Sequence, residues 1–143
     1  MEWDGLTKPT DAKLLLTRAV ANAGVTLAET SSANRILVAT KHGNAARLVA
    51  AHSTNIPITA VTDDPSVARK VMLLPGVDAV VCEELDRGSS TMRSAIKMIF
   101  ENRRLKENDR VVAISGSPKA MSGATSTARL YRVTEDGSVA GDE

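Results

Sequence analysis

Residues 35–51 read Arg35-Ile36-Leu37-Val38-Ala39-Thr40, then Lys41-His42-Gly43-Asn44, then Ala45-Ala46-Arg47-Leu48-Val49-Ala50-Ala51. The first piece is apolar at consecutive positions, the pattern of a strand buried on both faces in a parallel sheet covered by helices. The second is a glycine-containing turn and the third an alanine-rich helix. A helix that begins just past such a turn presents unpaired backbone N–H groups, and the positive end of its dipole, above the strand. That is a place for an anion. Lys41 adds a full positive charge, Gly43 permits close backbone approach, and Thr40 and Asn44 bring hydrogen-bonding side chains. The same residues also make an ordinary strand-to-helix turn with no ligand.

Outward from this unit, the chain alternates helix and strand. Upstream, residues 1–9 form an irregular lead-in. Thr10 or Asp11 then caps a helix to about Glu29, with an apolar stripe of Leu16, Val20, Ala23 and Leu27 widened by Ala12, Leu15 and Ala19. Gly24 weakens that helix by roughly 1 kcal/mol relative to alanine and points to a close contact. Downstream, Ile56 to Thr62 is a second buried strand, with Pro57 near its start. Asp63-Asp64-Pro65 starts a short helix, Ser66 to Leu74. Pro75-Gly76 turns into a third strand, Val77 to Cys82, and Ser89 or Ser90 caps a helix to about Arg104 with Met92, Ala95, Ile96, Ile99 and Phe100 on one face. A fourth apolar strand, Arg110 to Ser115, leads to a loop of small and hydroxyl residues, Gly116 to Ser126. Arg129 to Val133 alternates apolar and basic residues, as a sheet edge with one wet face does.

This alternation predicts one three-layer α/β/α domain over residues 10–134, followed by an acidic, unstructured tail at 135–143. Right-handed crossovers allow a five-stranded, mostly parallel sheet of order 3-2-1-4-5 with the fifth strand antiparallel. In that order, the turn at 40–45 and the loop at 116–126 leave adjacent strands at the same end. Open α/β sheets bind ligands at such a switch point.

Composition narrows the partners. The chain has 143 residues, enough to bury a sizeable core, and its aromatic content of 2% makes aliphatic residues build it. Trp3, Tyr131 and Phe100 are too few for a base-stacking surface, and a net charge of +1 argues against duplex DNA or an anionic membrane. The lone Cys82 excludes an internal disulfide and a multi-cysteine zinc site. The N-terminal residues lack the basic start and apolar run of a secretory signal, so a cytoplasmic protein is expected. Among single residues, His42 suits an anion contact. His52 and the Arg103-Arg104-Lys106 cluster complement helix C-termini, Asp63 and Asp64 suit capping better than a metal pair, and Met92, Met98 and Phe100 read as core.

The motifs Ala39-Thr40-Lys41-His42-Gly43-Asn44-Ala45-Ala46-Arg47-Leu48, Pro57 to Thr62, Pro75-Gly76-Val77 and Gly116-Ser117-Pro118 through Gly123-Ala124-Thr125 together resemble the C-terminal domain of pyruvate kinase, over roughly Asp11 to Val133. The resemblance implies the same sheet order, and it implies an allosteric site where an early Thr-x-Ser-Gly-Arg-Ser/Thr loop holds a phosphate and a late Gly-x-Thr-Asn loop closes over it. Thr40 and Gly43 carry over from the first loop, and Gly123 and Thr125 from the second. His42, Asn44, Ala45 and Ser126 depart from it, and the loss of a guanidinium and a hydroxyl weakens phosphate binding. Lys41, Lys119 and Ser122 compensate in part, with Ala124 alongside. The resemblance also implies that the Mg²⁺, K⁺ and substrate sites lie in barrel and lid domains outside this chain. No set of converging carboxylates with a phosphate clamp appears here, so no catalytic residue, no metal site and no phosphoryl transfer by this chain alone are expected. The expected function is binding of a phosphorylated metabolite or other anion. The alternative is an assembly domain, a homodimer or higher homo-oligomer formed through the first helix and the last strand. A third possibility is an unrecognised reaction at the same cleft.

Overall fold

A computed structural model describes residues 9–83, 89–116, 125 and 127–140. Its elements are α1 (Pro9–Thr30), β1 (Arg35–Ala39), α2 (Asn44–Ala50), β2 (Ile58–Thr62), α3 (Pro65–Val71), β3 (Val77–Val81), α4 (Ser89–Glu101), β4 (Arg110–Ser115), β5 (Thr127–Val133) and β6 (Val139–Ala140). They build one sheet of order β3-β2-β1-β4-β5-β6. β1 pairs in parallel with both β2 and β4, β2 pairs in parallel with β3, and β4–β5 and β5–β6 are antiparallel. The expected five-strand order is therefore present, with a sixth strand added at the edge.

Strand pleating sends successive side chains to opposite faces, which explains why β1 needs an unbroken apolar run. Ile36 and Val38 join Ala21, Val25, Ala28, Ala45, Ala46, Val49, Val67 and Val71 in a core beneath α1, α2 and α3. Leu37 joins Met92, Ala95, Ile96, Ile99, Tyr131 and Val133 in a second core beneath α4. α4 thus buries the expected face, except that Met98, expected in the core, is 36% exposed.

The stripe on α1 differs from expectation. Ala21, Gly24, Val25 and Ala28 face the sheet, while Leu16 and Ala23 are exposed and Val20 and Leu27 are only partly buried. Small residues win this face because the helix lies close to the sheet: a Cβ on Gly24 would fall 2.3 Å from Cδ1 of Ile114. A larger side chain there would hold the two layers apart.

Several boundaries also move: α1 already includes Pro9, β3 ends at Val81 and β5 begins at Thr127. β2 begins at Ile58, since Pro57 contributes only its carbonyl, which accepts from the Ile36 N–H at 2.9 Å. α3 stops at Val71, short of Leu74, and α4 stops at Glu101, short of Arg104. The α4 end is closed by Arg103 in the left-handed region (φ 63°), with the Arg104 N–H donating to Ile99 and the Arg103 N–H donating to Phe100. That pair of bonds is the Schellman arrangement that terminates helices. Ser32, at φ 56°, ends α1 the same way. Finally, the tail expected to be unstructured instead folds back from Thr134 and supplies β6 through Ala140.

Candidate functional site

Val38 pairs with Ile114 across β1 and β4, and Ser115 pairs with Thr127 across β4 and β5. The segment after Ala39, the residue after Ser115 and the start of β5 therefore share one rim of the sheet. Thr40 and Thr125 are both buried there, at 4% and 6% exposure. Lys119, Ser122, Gly123, Ala124 and Ser126 lie outside the described residues.

The turn above β1 is shaped from within. The Thr40 N–H donates to the Val61 carbonyl at 2.9 Å, fastening the loop to β2. The Gly43 N–H donates to Thr40 Oγ1 at 2.8 Å. Because a hydroxyl both accepts and donates, this bond leaves the Thr40 hydrogen as a donor. Gly43 sits at φ 102°, ψ −8° as the N-cap of α2, and no side chain caps that helix. Its left-handed backbone accounts for glycine at this position. The Gly43 carbonyl accepts from the Arg47 N–H at 3.0 Å, so the first-turn N–H groups of Asn44, Ala45 and Ala46 have no partner within the helix. Ala45 is buried against the α1-side core, whereas Lys41, His42 and Asn44 are exposed. Asn44 Oδ1 accepts from Arg47 Nη2 at 2.9 Å, holding a guanidinium beside the helix start. Arg47 escaped notice in the sequence because it reads as an ordinary solvent-facing helix residue.

A second feature is easier to see in three dimensions. β1 is followed by Thr40, β2 ends in Thr62 and β4 ends in Ser115, and all three are buried. Thr62 Oγ1 accepts from the Asp64 N–H at 3.3 Å. The signal was present as a hydroxyl residue closing each apolar run. Asp64 is the N-cap of α3, its Oδ1 accepting from the Ser66 N–H at 2.9 Å and from the Ser66 hydroxyl at 2.8 Å, and these bonds hold its carboxyl below the usual range.

The opposite rim carries charge of another kind. Arg35 Nη1 donates to Thr59 Oγ1 at 2.8 Å, the Thr59 hydroxyl donates to Asp78 Oδ1 at 2.6 Å, and Arg104 pairs with the other Asp78 oxygen. Arg35 is 9% exposed, and burial lowers its pKa, with Asp78 opposing the shift. Its Nε is buried with no hydrogen-bond partner. An open depression of about 320 Å³ lies beside this cluster, lined in part by Met72, Leu74 and Gly76. None of Arg35, Thr59 and Asp78 was expected as a site residue, although each interrupts or opens an otherwise apolar strand.

Cys82 is buried with its Sγ 3.8 Å from Met98 Sδ, and burial pushes its thiol pKa up, so it stays protonated. Among the described residues, no group of three or more His, Cys, Asp and Glu side chains is arranged to hold a metal ion. Likewise, no described helix is long and apolar enough to cross a membrane.

Comparison with known proteins gives a consistent result. A family model described as pyruvate kinase, alpha/beta domain, matches residues 18–131. Pyruvate kinase 2 of Synechocystis sp. is 35% identical over 107 residues, covering 75% of this chain and 18% of the relative. A pyruvate kinase of Staphylococcus saprophyticus is 28% identical over 127 residues, covering 87% of this chain and 22% of its own length. Among solved structures, Cryptosporidium parvum pyruvate kinase in complex with ADP superposes with a TM-score of 0.74 at 25% identity, over 82% of this chain and 23% of that one. The chain thus spans about a fifth of the length of these relatives.

Proposed function

Because this chain belongs to the pyruvate kinase alpha/beta domain family, we propose that it is a regulatory ligand-binding domain that takes a phosphorylated metabolite or another anion on the rim above β1 and β4. The observation that carries the reading is the Thr40–Gly43 turn. Its internal bond from the Gly43 N–H to Thr40 Oγ1 fixes the loop before any ligand arrives. Preorganised donors bind without the ordering cost a mobile loop incurs. Lys41, His42, Asn44 and Arg47 supply positive or hydrogen-bonding groups around it, Thr125 is buried at the same rim, and Lys119, Ser122, Gly123, Ala124 and Ser126 are the residues proposed to complete the ligand's contacts. On this reading no phosphoryl transfer is performed by these residues, Mg²⁺ and K⁺ enter only through a full pyruvate kinase, and the protein works in the cytoplasm.

Thermal unfolding against sugar phosphates, nucleotides, flavin phosphates and inorganic phosphate tests it. A ligand that binds only the folded state stabilises by about 2.7 kcal/mol at a hundred times its Kd, so melting should rise with concentration for at least one class. Unchanged melting with all of them would overturn the reading.

A second reading is assembly. Leu14 and Leu16 on α1 and Leu130 on β5 are exposed by 41%, 37% and 41%, an apolar set on the helix and strand expected to meet a two-fold mate. Sedimentation of Leu130→Asp, compared with the unaltered chain, should show loss of dimer. Equal masses for the two would remove this reading.

A further inference from the structure

The sixth strand lies beyond residue 131, where the family match ends. It belongs to a tightly built hairpin. Asp136 Oδ1 accepts from the Thr134 hydroxyl at 2.7 Å, the Ser138 hydroxyl at 2.6 Å and the Ser138 N–H at 3.1 Å. The Thr134 N–H donates to the Ser138 carbonyl at 2.8 Å. Gly137, at φ 87°, is pressed so close to Phe100 that a Cβ would fall 2.7 Å from its ring, and Val139 packs on the α4-side core. A segment docked by this many contacts has a defined place.

That place is the outer edge of β5. Val133 donates to Asp109 at 2.9 Å and accepts from Asn108 at 2.8 Å, so the odd-numbered residues of β5 turn their backbone groups toward β4. By the alternation of an antiparallel ladder, Ala128, Leu130 and Arg132 turn theirs outward. Arg132 is paired with Ala140 of β6, while no described strand lies beside Thr127–Tyr131 on that side. An open edge is a template for another strand, and a second copy of the same chain is always at hand to supply one. A two-fold copy centred on Leu130 would set Arg132 opposite Ala128, and Arg132 is already taken. Only the shorter overlap of Ala128 with Leu130 remains, and β6 stands in the path of anything longer.

We propose that the hairpin of residues 134–140 is an edge guard, which restrains strand-to-strand self-association of this chain through β5. It concerns the hydrogen-bonding edge and not the Leu14, Leu16 and Leu130 side chains, so it stands whether or not that face joins two copies.

Two full-length variants test it. Ala140→Pro removes the N–H that faces Arg132, and Asp136→Ala, at an exposed side chain, releases the turn without touching the core. In sedimentation velocity each should self-associate about tenfold more tightly than the unaltered chain, the effect of one or two net hydrogen bonds regained between copies. Hydrogen exchange at the Leu130 and Arg132 amides should slow as variant concentration rises, which a contact through the apolar face would not produce. Folded variants with unchanged association, or tighter association with no slowing at those amides, overturn the proposal. If Ala140→Pro does not fold, Asp136→Ala decides alone.

Discussion

The two rims of this sheet spend their polar groups in opposite ways. At the lower rim Arg35, Thr59, Asp78 and Arg104 bond to one another across β1, β2, β3 and the end of α4, leaving the buried Arg35 Nε without a partner. At the upper rim the Gly43 N–H bonds to the Thr40 hydroxyl and Arg47 bonds to Asn44 within one loop and helix start, while the Lys41, His42 and Asn44 side chains stay exposed. The lower arrangement locks strands together, and the upper one shapes a loop and turns its charge outward. The two guanidiniums and one carboxylate of the lower rim are bound up within the fold, whereas the turn at the upper rim carries its cationic and hydrogen-bonding side chains on the surface.

Breaking the lower rim should cost most. Asp78→Ala leaves buried Arg35 facing Thr59 without its nearest carboxylate, and because Asp78 is partly exposed the loss should fall toward the low end of the about 3–5 kcal/mol typical of breaking a buried pair. Urea unfolding would read it, and adding Arg35→Met should recover part of the loss, since the pair is then removed together. Ligand-induced melting shifts at the upper rim should survive both changes.

Thr40→Val should be milder for stability and worse for binding. It strips the acceptor from the buried Gly43 N–H, a loss of about 1–3 kcal/mol, and frees the turn. The melting shift given by any phosphate ester should shrink or vanish. Gly43→Ala should cost about 1–2 kcal/mol through its left-handed backbone, with a similar loss of ligand response measured by the same thermal titration. A ligand shift unaffected by either would erase the distinction between the rims.

The smallest effect is expected at Asp64→Ala, where an exposed cap is lost. The Asp64 carboxyl titrates below its ordinary 3.8 in the folded state, so its contribution is present above that value and fades as pH falls through the depressed range. Melting of the two chains should therefore differ at pH 6 and converge in strong acid.

Much of the fold was readable because it rests on periodicity. Apolar runs at Ile36–Ala39 and Val111–Ile114, and the run Ile58–Val61 broken only by Thr59, demand two-sided burial, and the crossover rule then orders the strands. What escaped reading depends on contacts or on unusual backbone. Nothing in the residues of α1 said that Gly24 would meet Ile114, so the larger side chains were assigned the inner face. Ser32 and Arg103 end helices in a left-handed conformation that glycine usually signals. The site divides in the same way. Thr40 and Gly43 stood out by chemistry and spacing, while Arg47, whose place beside the turn depends on its bond to Asn44, did not. At the lower rim, Arg35 and Asp78 sit far apart in sequence and acquire meaning only when the strands are laid side by side.

Tyr131 is the chain's single tyrosine, and it is 4% exposed, packed in the layer that α4 covers. Phe100 borders the same layer, while the aliphatic and alanine core beneath α1, α2 and α3 contains neither ring. Near-ultraviolet absorbance and dichroism of Tyr131 therefore watch one half of the protein and are blind to the other. A loosening confined to the α1 side would pass unseen by those optical signals, and a tryptophan placed there would be needed to record it.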